Sequence, residues 1–218
     1  MEITWYGHSC FRLAERGYAA IATDPFDDSL GYDVPKIKAD IVTISHDAPG
    51  HNNVAAAKGA RVLSGPGEYE IGSVFITGIA TGQSGAAAKK RKAEDDNHRN
   101  TLYLFDFDGL TVCHLGDLDH VPTQTQIEDL GTVGVALVPV GGGGGLNAAS
   151  AAEVISLIEP SIVIPMHYKT NDTSLKLDPL SKFLKEMGLG NLKPQDTLKV
   201  TKSQLPDETQ VVVLSYKG

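Results

Sequence analysis

The feature that most constrains the fold of this chain is a succession of short β-branched or aromatic runs. Glycine breaks them repeatedly, and several end on a histidine or an aspartate. Residues 3–6, 10–13 and 18–23 are such runs, separated by Gly7-His8 and Arg16-Gly17. Each is too short for a packed helix and rich enough in strand formers to pair in a sheet. The strongest is 40–45, Asp-Ile-Val-Thr-Ile-Ser, which reads as a buried strand. It runs directly into His46-Asp47-Ala48-Pro49-Gly50-His51, a polar stretch at a strand end.

The remaining chain mixes helices into this pattern. Residues 54–58 are helix-prone and stop near Gly59. Runs 61–64 and 73–79 read as strands, with Gly65-Pro66-Gly67 turning between them. Residues 81–100 carry Lys89-Lys90-Arg91-Lys92 followed by Glu94-Asp95-Asp96, so opposite charges nearly cancel, and a long solvated, flexible loop is expected. Runs 101–106 and 110–115 form a hairpin around Asp108-Gly109, a strong turn signal. A helix over 123–130, a strand over 134–140, the glycine run 141–145 and an Asn147-capped helix over 148–158 follow. A strand over 161–165, a helix over 179–187 and a strand over 210–215 close the chain. This order predicts one layered α/β domain over 1–218 with mixed strand pairing.

Composition narrows the function classes. Of 218 residues, 41% are hydrophobic and 21% charged, as in a soluble globular protein with room for a sizeable core. A formal net charge of -8 argues against broad binding to nucleic-acid phosphates. No apolar run approaches the roughly 20 residues that span a bilayer, and the start of the sequence does not look like a secretory signal. Cys10 and Cys113 sit in apolar, strand-like contexts where buried free thiols are common. A cytoplasmic setting is the expectation.

The candidate chemistry lies at strand ends, where Asp24, His46, His51, His114, Asp117 and His167 fall. Strand ends on one edge of a sheet converge in space, and imidazole with carboxylate is a donor set that zinc, iron or manganese accepts. Each residue alone has a structural explanation as a hydrogen-bonded loop residue. The glycine run lacks the Lys-Ser/Thr of a phosphate-binding loop and reads as a tight strand-to-helix connection.

Motifs along nearly the whole chain carry a resemblance. They are Trp5-Tyr6-Gly7-His8-Ser9-Cys10-Phe11, Thr23-Asp24-Pro25, Ile44-Ser45-His46-Asp47 and Gly65-Pro66-Gly67-Glu68-Tyr69. Cys113-His114-Leu115-Gly116-Asp117-Leu118 and Ile164-Pro165-Met166-His167-Tyr168 complete them. In this order they resemble the metallo-β-lactamase superfamily, within it the bacterial lineage related to ascorbate-phosphate lactonases and other zinc-dependent hydrolases. The resemblance implies a four-layer αββα sandwich with its site along one edge.

Full members of that superfamily carry H-x-H-x-D-H after a strand. The first two histidines and a distant third hold one metal; the Asp, the last His and a final-strand His hold the other, and a Gly-Asp aspartate bridges both. Laid on that signature, His46 and His51 are kept, while Ala48 and Gly50 stand where the middle His and the Asp belong. No histidine stands at 81–83; Gln83 is a weak substitute, and His98 falls outside the family's position. The first metal position keeps only His46 and Asp117, the second His51, Asp117 and His167. Three ligands suffice for a mononuclear catalytic centre. The resemblance gives Asp117 the catalytic role and Asp24 an orienting role beyond the ligands; His8 and His114 take supporting roles beside it.

Two functions follow as expectations. One is a metal-dependent hydrolase of an ester, lactone or phosphoester, with at most one ion of zinc, manganese or iron. The other is a metal-free, non-catalytic relative that uses the fold to bind or assemble. Expected partners are a small-molecule substrate or anion and a second copy in a homo-oligomer; nucleic acid and membranes are not expected.

Overall fold

A computed structural model describes residues 1–81 and 100–217. The charged stretch read as a loop, with Gln83 and His98, lies outside the described residues.

The short runs pair as strands in two mixed sheets. The first sheet contains β1 (Glu2–Gly7), β2 (Cys10–Ala14), β3 (Ile21–Thr23), β4 (Ile41–Ile44) and β5 (Arg61–Ser64). The second contains β6 (Gly67–Ile71), β7 (Val74–Ala80), β8 (Thr101–Phe107), β9 (Leu110–His114), β10 (Val135–Pro139) and β11 (Ile162–Met166). Two-residue strands, β12 (Leu198–Lys199) and β13 (Gln210–Val211), extend one edge of each, giving the orders β12-β1-β2-β3-β4-β5 and β13-β11-β10-β9-β8-β7-β6.

Alternation explains how the sheets face each other. Ile3, Trp5, Phe11, Leu13, Ile21 and Ile41 project from the first sheet into the same core as Ile76, Leu102, Phe105 and Val112 of the second. Burying such a side chain fully contributes roughly 1.5–3 kcal/mol relative to exposure. Trp5 anchors the end of this core, its ring 5.2 Å from Tyr168 and 6.3 Å from Phe11 between centroids. Tyr103 of β8 ties the sheets together, its hydroxyl lying within 3.3 Å of the carbonyls of Ile44, Leu63 and Gly65, any of which can accept its one proton.

Helices α1 (Gln124–Leu130), α2 (Ala148–Ile158) and α3 (Leu180–Glu186) belong to the core cluster of the second sheet through Leu130, Val154, Ile155, Phe183 and Leu184. Thr123 closes a capping box on α1, and the Asn147 side chain caps α2 as its sequence predicts. The outer face of the first sheet is different. Cys10, Ala22, Val42 and Ile44 pack there against Phe26, Leu30, Tyr32, Ile37 and Ala57. Its helical layer is reduced to the 3-10 turns Asp28–Leu30 and Val54–Ala57. The helix expected over 54–58 is too short before Gly59 to complete α-helical turns.

Strand direction decides where the chemistry gathers. β3 runs parallel to β4, and β9, β10 and β11 run parallel to one another. Their C-terminal ends form one edge, the usual place for a ligand in sheets with parallel strands. Asp24 follows β3, His46 follows β4, His114 ends β9, the glycine run follows β10 and His167 follows β11. β1 is antiparallel to β2, and β2 to β3, so the Gly7-His8-Ser9 turn reaches the same edge.

Candidate functional site

Asp24 is the hub of this edge. It is fully buried, with one carboxylate oxygen accepting from the Ser45 backbone N–H at 2.7 Å. The other accepts from the Ser45 hydroxyl at 2.6 Å and faces His51 Nδ1 at 2.9 Å. Burial alone would raise this carboxyl, but the hydrogen bond from His51, the His114 and His51 charges and the Ser45 bond outweigh it and hold it at about 2. An ionised Asp24 can only accept, so His51 carries its proton on Nδ1 and turns a lone pair outward on Nε2.

The same reasoning fixes His46. The single hydroxyl proton of Ser45 goes to Asp24, so Ser45 Oγ can only accept from His46 Nδ1, 3.1 Å away. His46 therefore also presents Nε2 as a lone pair, 3.9 Å from Asp117 Oδ2. Through one serine, a single buried carboxylate orients two imidazoles into the same space, the arrangement by which metal-binding histidines are usually held. Burial lowers the His46 pKa, with His51 adding to it, which keeps the ring neutral.

Asp117 enters from the far sheet, placed by a framework of its own. His114 is fully buried between the Ser9 carbonyl at 2.8 Å and the Gly116 N–H at 3.1 Å, so its role is structural bracing. Asn100 was not singled out in the sequence, yet it grips the loop on both sides. Its amide donates to the Leu115 carbonyl at 3.0 Å, and its oxygen accepts from the Asp117 N–H at 2.9 Å. Its position at the end of the charged stretch, just before β8, was the only available signal. Gly116 is required here: its φ is +59°, and a Cβ would stand 2.2 Å from Asn100 Oδ1 and 2.5 Å from Ser45 Cβ.

His46, His51 and Asp117 each offer a ligand atom, and these atoms all lie within 4.8 Å of one another. The sequence had grouped His51, Asp117 and His167 instead. His167 is nevertheless close, with Nδ1 2.8 Å from Asp117 Oδ1. That approach lacks the alignment of a hydrogen bond, and both atoms are buried without a hydrogen-bond partner. A buried imidazole nitrogen and a carboxylate oxygen 2.8 Å apart without hydrogen-bond alignment are poorly satisfied by each other, and a cation between carboxylate and imidazole would satisfy both. Burial raises and His167 lowers the Asp117 carboxyl, the net direction being downward, so it is available as an anion. The donor set therefore fits a divalent ion.

The glycine run closes over this pair. A Cβ at Gly145 would stand 2.6 Å from Asp117 Oδ1 and 3.2 Å from His167 Nδ1, and one at Gly141 would meet the His167 carbonyl at 2.3 Å. The run is both a tight connection and the bare wall that leaves the site its room. Gly50 shows the converse. It has φ +93°, and a Cβ would press on the buried Leu30 methyls at 3.0 and 3.1 Å. Where the signature carries an aspartate, apolar packing has taken the space. Three residues at this edge, His8, Asp24 and His167, hold positive φ although none is glycine, a strain that clusters at functional sites.

Comparisons with known proteins identify the family. The Beta-lactamase superfamily domain matches residues 2–167. A UPF0173 protein of Pyrococcus furiosus is 30% identical over 200 residues, covering 86% of this chain and 90% of its own length. A UPF0173 metal-dependent hydrolase of Thermoplasma volcanium is 28% identical over 206 residues, covering 83% of this chain and 88% of its own. A crystal structure from Thermotoga maritima, of a chain assigned to the Zn-dependent hydrolases of the metallo-beta-lactamase superfamily, has a TM-score of 0.78 and 37% identity. It covers 98% of this chain and 97% of its own. With the matched domain running from β1 to the site's last histidine, this chain belongs to the beta-lactamase superfamily, among its UPF0173 relatives.

Proposed function

We propose that this chain is a metal-dependent hydrolase that opens an ester, lactone or phosphoester at a mononuclear centre, with zinc, manganese or iron as the ion. The observation that carries this reading is the convergence of His46, His51 and Asp117, with His167 against Asp117. The names of the UPF0173 relatives and of the Thermotoga chain support the class of activity. The loss of donors at Ala48 and Gly50, the latter filled by Leu30, supports one ion rather than two.

When bound, such an ion polarises a carbonyl or phosphoryl oxygen and acidifies water. The protein supplies the rest. Asp24 and Ser45 fix the tautomers of His51 and His46, Asn100 and Gly116 aim Asp117, and Gly144 and Gly145 leave space above it for a substrate. Asp117, ionised and partly open to the cleft, is placed to accept a proton from an attacking water.

One observation favours the metal-free alternative. His51 Nε2 is already hydrogen-bonded, to His8 Nε2 at 3.1 Å, so the site can close on itself without an ion. One experiment separates the two readings: elemental analysis of protein prepared with zinc, manganese and iron available, with a panel of lactones, esters and phosphodiesters assayed before and after chelation. Stoichiometric metal with turnover that chelation removes and metal restores is the expected result. No bound metal and no chelator-sensitive turnover would overturn the hydrolase reading.

A further inference from the structure

The β1–β2 turn carries a histidine that no role above requires. His8 is 3% exposed, its Nε2 lies 3.1 Å from His51 Nε2, and its Nδ1 has no hydrogen-bond partner. Its ring centroid is 4.2 Å from that of His167. Its backbone is pinned at φ 49°, with the carbonyl accepting from the Trp5 indole at 3.0 Å and from the His167 N–H at 3.2 Å. His8 is therefore built into the site edge rather than resting near it.

The proton count at His51 makes this contact decisive. Its Nδ1 proton is committed to Asp24, so Nε2 has one lone pair. That lone pair can accept the His8 N–H or bind an ion, and it cannot do both. When His51 becomes a ligand, His8 loses the one side-chain hydrogen bond it makes among the described residues. Two imidazole nitrogens about 2.0–2.1 Å from one tetrahedral ion stand about 3.3 Å apart. The observed 3.1 Å separation is already close to that.

Building on the metal-dependent reading above, we infer that His8 is a further ligand of the same ion, taking the part of the carboxylate that Gly50 cannot supply. Its approach is from the side of His51 and His167. On ligation its proton passes from Nε2 to Nδ1, with no net change of charge. In the metal-free protein the same atom holds His51 in place by its hydrogen bond.

The test compares wild type, His8→Ala, His8→Gln and His120→Ala, a histidine at the surface that bonds Asp119. Each is stripped of metal and titrated with cobalt(II) against a chelating dye, and the loaded proteins are measured by X-ray absorption to count imidazole ligands. Both His8 variants should bind at least about 10-fold more weakly and show one imidazole fewer, with His120→Ala unchanged. The glutamine variant discriminates further, because its amide can still donate to His51: recovery of affinity and imidazole count in His8→Gln would reduce His8 to an orienting residue and overturn the inference. It also carries the test if His8→Ala fails to fold. Wild type that binds cobalt alongside unaffected His8 variants sinks this inference alone; wild type that binds none sinks it together with the hydrolase reading.

Discussion

Replacing Asp24 with asparagine changes almost no volume and removes one charge from the hub of the site. In the folded protein the carboxyl sits at about 2 against an ordinary 3.8. At about 1.4 kcal/mol per pH unit, that gap contributes about 2–3 kcal/mol of stability. Because the folded value is depressed, the contribution is complete above pH 3.8 and disappears as pH falls toward 2. Metal-free wild type should therefore lose about 2–3 kcal/mol across that window from this group, and Asp24→Asn should lack that part of the acid limb. A second effect is chemical. The asparagine amide turns hydrogens toward His51 Nδ1, which must then present a lone pair there and carry its proton on Nε2, the atom facing the site. Metal affinity should fall about 10- to 100-fold. Urea unfolding at pH 7, 4 and 2.5, with cobalt titration at pH 7, measures both. An acid limb unchanged by the substitution, or cobalt affinity within twofold of wild type, would refute the assignment of Asp24 as the group that sets the tautomers.

Gly145→Ala places a methyl 2.6 Å from Asp117 Oδ1; metal affinity and any turnover should drop at least about tenfold, while a melting curve shifts by only a few degrees. Asn100→Leu removes both grips on the Asp117 loop and leaves the Asp117 N–H unpaired, while the Leu115 carbonyl keeps its bond from the Leu118 N–H. It should cost about 2–3 kcal/mol in urea unfolding, and weaker metal binding should accompany it. His8, His46 and His114 are all held below the ordinary imidazole value, chiefly by burial. The unfolded chain binds their protons first, so metal-free stability should fall as pH drops below about 6.5. His51, raised by Asp24 against its burial, works the other way and contributes stability that is lost as pH rises above 6.5. A urea series from pH 5 to 8 measures the net of the two.

Much of the fold was legible because strand formers alternate inward and outward along the central strands. Asp108-Gly109 turns the β8–β9 hairpin with positive φ at both residues, as its sequence predicts. β6 was missed because Gly-Glu-Tyr-Glu-Ile exposes its glutamates at a sheet edge, so no apolar run marks it. β12 is two residues long, and the strand expected over 210–215 is regular only at Gln210–Val211, with an isolated bridge from Leu214 to Gln195 beyond it. These edges are made by tertiary pairing rather than local preference. At the site, the sequence named every histidine that converges, because each follows a strand. It could not show that Ser45 relays between Asp24 and His46, or that Asn100 holds Asp117, because these roles depend on distances across two sheets. The sequence grouped His51, Asp117 and His167 through the resemblance; that His46 also lies within 4.8 Å of His51 and Asp117 is visible only in three dimensions.

The contact between Gly50 and Leu30 has a consequence for how this lineage could change. Restoring the signature aspartate at 50 would force a side chain into φ +93° and onto methyls 3.0 Å from its Cβ. A strained backbone of that kind costs roughly 1–2 kcal/mol before any clash. Leu30 lies in a core cluster with Phe26 and Tyr32, so trimming it to make room opens a cavity there. Neither step is favourable without the other. The absent carboxylate thus behaves like a ratchet: the neighbouring core occupies the gap, and any route to a two-ion site runs through a less stable intermediate.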